Sequence, residues 1–349
     1  MTSLKLANLW RVIRDVDLDA MRAAARAPFE IALVSEDPAL GAKVTAAFRG
    51  ADEAGPAPWL ITLDPASFID RPAVPVLALL LSQEQELSMP MQAADAHCAR
   101  TSIPRATVVV GPFDKAALAP RNGERARAGL AEVSPAGVAQ MAGALVALVS
   151  ADERLALGAA VPVLRPAVHE SIVEDTARAN ATFALTTGLA ETVPILTAPL
   201  NLGDMIVLTK NQLVMGYRIM LASGRDGEPK TMVKEVLGVL GGGLLFRQAA
   251  RQLIGMIPVV GLVPKVAIAY GGTWAMGRAL SAWATSGSAV TAESVRAHST
   301  EGLARGKAAA KQLLAQFRQV SPASSRSWRR LRGWLPLRGR RPDVPSPEE

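Results

Sequence analysis

Two arrangements of apolar residues divide the chain. Between Pro28 and Ser150 they come in short unbroken runs: Phe29–Val34 (FEIALV), Trp59–Leu63, Val74–Leu81 (VPVLALLL) and Arg105–Val110 (RATVVV). The stretches between and after them, Ala39–Arg49, Met89–Ala99 and Val138–Val149, carry helical spacing. Strands without polar alternation are buried on both faces, so residues 28–150 are predicted to form a doubly wound parallel sheet with helices on either side. From Ala151 onward the period is helical. Glu153–Leu157, His169–Thr187, Asp204–Ala222 and Gly302–Val320 read as helices, separated by Pro162, Pro166, Pro194, Pro199 and the turn Arg225-Asp226-Gly227-Glu228-Pro229. The predicted fold class is therefore α/β plus all-α, with a helical domain over 151–320. Ahead of both, Leu6, Leu9, Trp10, Ile13, Val16 and Met21 share one side of an amphipathic helix within residues 1–27, expected to pack on the domain that follows.

The longest apolar stretch is Leu253–Ala284. Its first nineteen residues hold a single charge, Lys265, and their length is near that needed to cross a hydrocarbon core of about 30 Å. Pro258 and Pro264 remove backbone donors and disfavour one continuous helix. The stretch therefore divides into a short apolar lead, a corner and a longer helix from Pro264 to Ala284. With Val233–Phe246 it forms an apolar helical hairpin over 233–285. Ala267, Gly271, Ala275 and Ala279 recur every four residues, a ridge of small side chains that lets another helix approach closely, in lipid or in a dense bundle. Gly238 and Gly242 make a second pair at the same spacing. Lys265 and Arg278 lie roughly 20 Å apart along such a helix, so both can reach opposite interfaces of a membrane.

Composition sharpens this picture at two places. The chain of 349 residues carries a net charge of +7. In residues 321–349 seven Arg face only Asp343, Glu348 and Glu349, so more than half of the excess sits in a Pro-, Ser- and Arg-rich tail predicted to be disordered. A nearly neutral body argues against a nucleic-acid-binding core. In the tail, Trp328, Arg329, Arg330 and Trp334 combine basic and interfacial aromatic residues, and so are candidate contacts to membrane lipids. Cys98 is the only cysteine, which excludes an intramolecular disulfide and fits a cytosolic body. The first fifteen residues lack the apolar core of a secretory signal. His97, His169 and His298 fall on separate segments without metal-ligand spacing, so no metal and no cofactor is expected.

The strand-to-helix loops were compared with phosphate-binding loops because doubly wound sheets place ligands there. A phosphate loop requires G-x-x-x-x-G-K-[ST], whose backbone N–H groups cradle phosphates while the Lys and hydroxyl contact phosphate and Mg²⁺. Here the loop after the first strand runs from Ser35 through Glu36, Asp37 and Pro38 to Lys43, with no GK[ST] triplet. Asp64-Pro65-Ala66-Ser67 stands where a G domain has Asp-x-x-Gly, and Gly111-Pro112-Phe113-Asp114 where it has Asn-Lys-x-Asp. The outline resembles a degenerate P-loop GTPase-like domain. Lys43, Asp64 and Asp114 are the weak candidates for nucleotide contact, and no catalytic residue emerges.

In the second half, Pro199-Leu200-Asn201-Leu202-Gly203-Asp204 with the following helix, and LIGMIPVVGLVPKVAIAYGGTWAMGRAL with Thr273, Ala275 and Gly277, resemble the two signatures of the YcjF-type domain. This is a GTPase-associated bacterial domain of unknown function, and the resemblance covers residues 150–290. It implies a helical module accompanying a GTPase-like domain, often membrane-associated, with no catalytic residues to carry over. The expected role is a non-catalytic scaffold or regulator at the cytoplasmic face of the inner membrane, in contact with lipids and with a protein partner or a second copy. Two alternatives stand beside it. One is a soluble, cytoplasmic interaction module with a conventional bundle core; the other is a GTP-binding protein with a non-standard phosphate site.

Overall fold

A computed structural model describes residues 15–50, 57–119, 126–190, 200–239, 262–287 and 289–320. The first part is a five-stranded, wholly parallel sheet in the order β2-β1-β3-β4-β5. Its strands are β1 (Ile31–Val34), β2 (Leu60–Leu63), β3 (Leu77–Ser82), β4 (Arg105–Val110) and β5 (Arg127–Leu130). Ile31 lies between Leu60 and Leu77, and Thr107 pairs with Arg127. Every residue of β1 and β4 is buried, as the unbroken apolar runs predict. Alternate residues supply the two faces. Ala32, Val34, Ala78 and Leu80 meet Phe68, Met91 and Cys98 from helices α3 (Pro65–Asp70) and α4 (Met89–Thr101). Ile31, Leu33, Leu77 and Leu79 meet α2 (Pro38–Arg49) and α5 (Pro135–Val146) on the other side.

That second face does not end at the sheet. Its apolar core runs on without a break into the helical part through Val149, Leu155, Val161 and Leu164. The helical part comprises α6 (Glu153–Ala160), α7 (Arg165–Ala190), α8 (Leu200–Ala222), α9 (Pro229–Val239), α10 (Leu262–Ser286), α11 (Ala292–Ala297) and α12 (Ser299–Val320). Arg154 fastens the junction. Its Nε donates to the carbonyls of Val146 and Val149, both at 3.1 Å, and its Nη1 to Ser171 at 2.6 Å and Asp175 at 3.1 Å.

The helix α1 (Leu18–Ala25) precedes the sheet in sequence but packs on the helical part, against α6, α8 and α9. Tyr217 donates its hydroxyl to the Leu18 carbonyl at 3.2 Å, and Arg22 and Arg26 both pair with Asp226. The expectation that this helix packs on the sheet domain is therefore corrected: its partners are helices of the bundle, and the Asp226 that pairs with Arg26 comes 200 residues later. The remainder of that amphipathic segment, residues 1–14, lies outside the described residues.

Helix α10 is the hub of the bundle, flanked by α7, α8 and α12. Pro264 falls in its first turn, where a backbone N–H has no intrahelical partner to lose, so the proline starts the helix rather than breaking it. Ala267, Gly271, Ala275 and Ala279 are all buried. A methyl group on Gly271 would lie 2.7 Å from the Gly302 carbonyl oxygen, and one on Gly302 would lie 2.6 Å from that of Gly271. Gly306 faces Ala267 in the same way. The small-residue ridge thus has its partner, a Gly302-x-x-x-Gly306 pair, within the same chain. In place of a simple hairpin, α9 lies on α8 while α10 packs chiefly on α7 and α12. Gly238 is in α9; Gly242 lies outside the described residues, as do Trp328, Arg329, Arg330 and Trp334. Among the described residues no helix is long and apolar enough to cross a membrane.

Candidate functional site

In a sheet of this order the chain leaves β1 toward one side and returns at β3 on the other, opening a crevice at the carboxyl ends of these two strands where doubly wound folds bind ligands. A cleft of about 180 Å³ occupies this place, lined by Ser35, Glu36, Asp37, Leu40, Leu81, Ser82, Glu84, Glu86 and Ser88 with Gln83. Two copies of one turn form its walls. Ser35 Oγ donates to the Asp37 carbonyl at 2.9 Å and accepts from the Asp37 N–H at 3.2 Å. Ser82 Oγ makes the same two bonds with Glu84, at 2.9 and 3.2 Å. Ser88 Oγ donates to Glu36 Oε2 at 2.6 Å and so links the loops across the cleft. Arg127 at the start of β5 is almost wholly buried and donates to the Gln85 carbonyl at 2.5 Å, holding the second loop from behind.

The electrostatics oppose a phosphate. A helix N-terminus attracts anions because its first N–H groups are unpaired. At α2 that position is already filled by the chain's own carboxylate, since Asp37 Oδ1 accepts the Ala39 N–H at 2.8 Å. Glu36, Glu84 and Glu86 add further negative charge, and no Lys or Arg lines the cleft. Gly41, beside the missing phosphate-loop lysine, serves packing instead: a methyl there would lie 2.5 Å from Thr62 Cγ2. It lets α2 approach β2 closely enough for Thr45 and Thr62 hydroxyls to bond at 2.9 Å.

The three sequence candidates are not brought together. Lys43 is exposed on α2 and does not line the cleft. Asp64 caps α3, accepting from the Ala66 and Ser67 N–H groups at 3.0 Å and from Ser67 Oγ at 2.6 Å, and the Ser67 hydroxyl bond holds its carboxyl below the usual range. Asp114 caps the short 3-10 turn Lys115–Leu118. With Asp37, Ser88 and Ser134, these make a cap after every strand, and Pro38, Pro65 and Pro135 stand at the first helical positions behind three of them. An Asp after a strand followed by Pro is a helix start as readily as a nucleotide motif. Glu84, Glu86 and Ser88 escaped notice in the sequence because SQEQELS reads as a plain loop. Its only signal is a Ser-x-Glu that repeats the Ser35-Glu36-Asp37 turn.

Cys98 and the His169–Ser223 pair lie apart from the residues that line the cleft. Cys98 is fully buried and burial pushes its thiol up to about 11, so it stays protonated and unreactive. His169 Nε2 lies 3.1 Å from Ser223 Oγ, but Ser223 also donates to the Ile219 carbonyl. Burial, helped by Arg165, depresses the imidazole to about 4. That pair closes the C-terminal end of α8. Among the described residues no three His, Cys, Asp or Glu side chains converge to hold a metal. Compared with known proteins, the chain matches no family model, no curated sequence and no solved structure.

Proposed function

We propose that this chain is a non-catalytic scaffold or regulator of the GTPase-associated kind. Its sheet part is a degenerate G-domain-like unit that holds no nucleotide, and its YcjF-like helical part rests on the cytoplasmic face of the inner membrane and presents the sheet to a protein partner. The observation carrying this reading is the switch-point cleft, where the chain's own Asp37 carboxylate occupies the helix N-terminus that a phosphate needs. Asp64 and Asp114 sit at the ends of β2 and β4, as the G-domain outline requires, yet serve as caps. Calorimetry of the full chain with GTP and Mg²⁺ is the test for the sheet part: no heat of binding is expected, and saturable binding would sink the non-catalytic reading. Fractionation tests the membrane part, with recovery of the chain alongside anionic vesicles as the expected result.

A second reading, a soluble interaction module, draws support from the in-chain partner of the small-residue ridge, Gly302 and Gly306. Recovery wholly in the soluble fraction, with and without anionic vesicles, would favour it over the first.

A further inference from the structure

The long helices of the bundle are antiparallel neighbours. His169 meets Ser223 and Asn180 meets Asn211 between α7 and α8. Glu170 meets Arg278 and Asn180 meets Thr273 between α7 and α10, and Gly302 meets Gly271 between α12 and α10. This register brings Ala190, Leu200, Leu262 and the last turns of α12 to one end of the bundle. A buried polar layer, Asn211 to Asn180 at 2.6 Å and Asn180 to Thr273 at 2.8 Å, separates that end from the other.

The two sides of this layer differ in covering and in charge. Below it Val168, Val173 and Leu280 are at 0% exposure. Above it Phe183, Leu208, Ile268 and Leu314 are only half-buried, and Val263 is 42% exposed. Below it the charges balance, since Glu170, Asp175, Asp226 and Glu235 are each paired with an arginine. Above it, the charged residues of 181–187, 207–210, 263–272 and 306–317 are Lys210, Lys265, Lys307 and Lys311, with no acid among them. An incompletely covered apolar end ringed by lysines matches an anionic bilayer surface, where apolar side chains enter the headgroup boundary and each cation adds about 1 kcal/mol. In sequence, the tail leaving this end after Val320 continues the same chemistry with Trp328 and Trp334 among arginines.

Resting on the membrane reading above, we infer that this end is a docking surface for anionic phospholipid, which seats the bundle end-on at the interface without crossing it. The sheet's cleft takes no part in that contact. The test is co-sedimentation of the full chain with vesicles of phosphatidylcholine alone and of phosphatidylcholine mixed with phosphatidylglycerol. The wild type is expected to bind only the mixed vesicles. Lys210→Glu/Lys311→Glu is expected to weaken binding by roughly 30-fold or more, since two attractive charges are lost and two repulsive ones gained. Lys230→Glu/Lys234→Glu, the same charge change on exposed α9 positions below the layer, is expected to bind within about threefold of wild type. Val263→Asp, at an already exposed site, should weaken binding while leaving the unfolding midpoint unchanged. Binding that survives both upper-end variants, or falls equally with the α9 variant, overturns the docking surface and leaves the membrane reading standing. No binding by the wild type overturns both. A wild-type dimer that the Val263→Asp change dissociates, with no vesicle binding, assigns the same end to a second copy and overturns the lipid surface.

Discussion

The sheet half fills both faces with aliphatics, and the helical half adds close glycine contacts between its helices. In the sheet, branched and long aliphatics fill both faces, and Ile31, Leu33, Leu77, Leu79 and Leu80 are wholly inaccessible. In the bundle the closest approaches come where side chains are least: Gly271 on Gly302, Gly306 on Ala267, and Gly277 on Val173 and Met215. Buried aliphatics are lost by truncation, close glycine contacts by enlargement. The joining loops differ in the same sense. Those of the sheet are closed by local bonds across two or three residues, as at Asp37, Asp64 and Ser88. The bundle is tied by pairs far apart in sequence, such as Arg22 with Asp226 and Glu174 with Tyr270.

The comparison breaks most sharply if enlarging the glycine ridge is harmless. Gly271→Leu should cost about 3 kcal/mol or more, because the Gly302 backbone cannot move aside without separating α10 from α12. Leu79→Ala should cost a similar amount, about 3 kcal/mol, by leaving a cavity; urea denaturation measures both. A mild Gly271→Leu effect would mean that the helices part easily.

A second measurement locates the acid sensitivity. His169 titrates near 4 in the folded chain and near 6.5 when unfolded. The unfolded state therefore binds the proton first as the pH falls. The contribution of neutral His169 is intact above about 6.5 and is lost progressively down to about 4, where it amounts to something on the order of 3 kcal/mol. His169→Gln should flatten the dependence of stability on pH in that window relative to wild type, and an unchanged slope would place the titration elsewhere. Next in size, Arg154→Ala should lower stability by about 2 kcal/mol, since it strips donors from Val146, Val149 and Ser171 at once. If the halves are coupled mainly through this residue, the variant should unfold in two thermal steps. The smallest effect should come from the caps: Asp37→Ala and Asp64→Ala should each cost about 1 kcal/mol without any change in the response to GTP.

These contrasts also explain what could be read from residues alone. VPVLALLL announces a buried strand because nothing polar interrupts it, and RATVVV because its polar residues are outnumbered by a closing run of valines. β5 was missed. RAGL is four residues long and opens with Arg127, whose burial depends on the Gln85 carbonyl, forty-two residues earlier. The cleft was legible by half: the loop after β1 was recognisable as one that lacks phosphate chemistry, but Glu84, Glu86 and Ser88 lie about fifty residues on and face it only once β3 is placed beside β1. The ridge of α10 was visible as a periodicity. Its partner was not, because two glycines in a Lys- and Ala-rich helix carry no distinguishing pattern until α12 is laid against it.

The position of α1 has a consequence for how the chain comes off the ribosome. Arg26 is made 200 residues before Asp226, its partner. At about 5–20 residues per second that interval is roughly 10–40 s. Before it ends the sheet half and α6 are complete, whereas α8 and Asp226 are still to come, so α1 has only part of its seat. Helix α1 thus completes its docking late, and the sheet folds as a loop between two points that close only when α8 and the turn after it emerge.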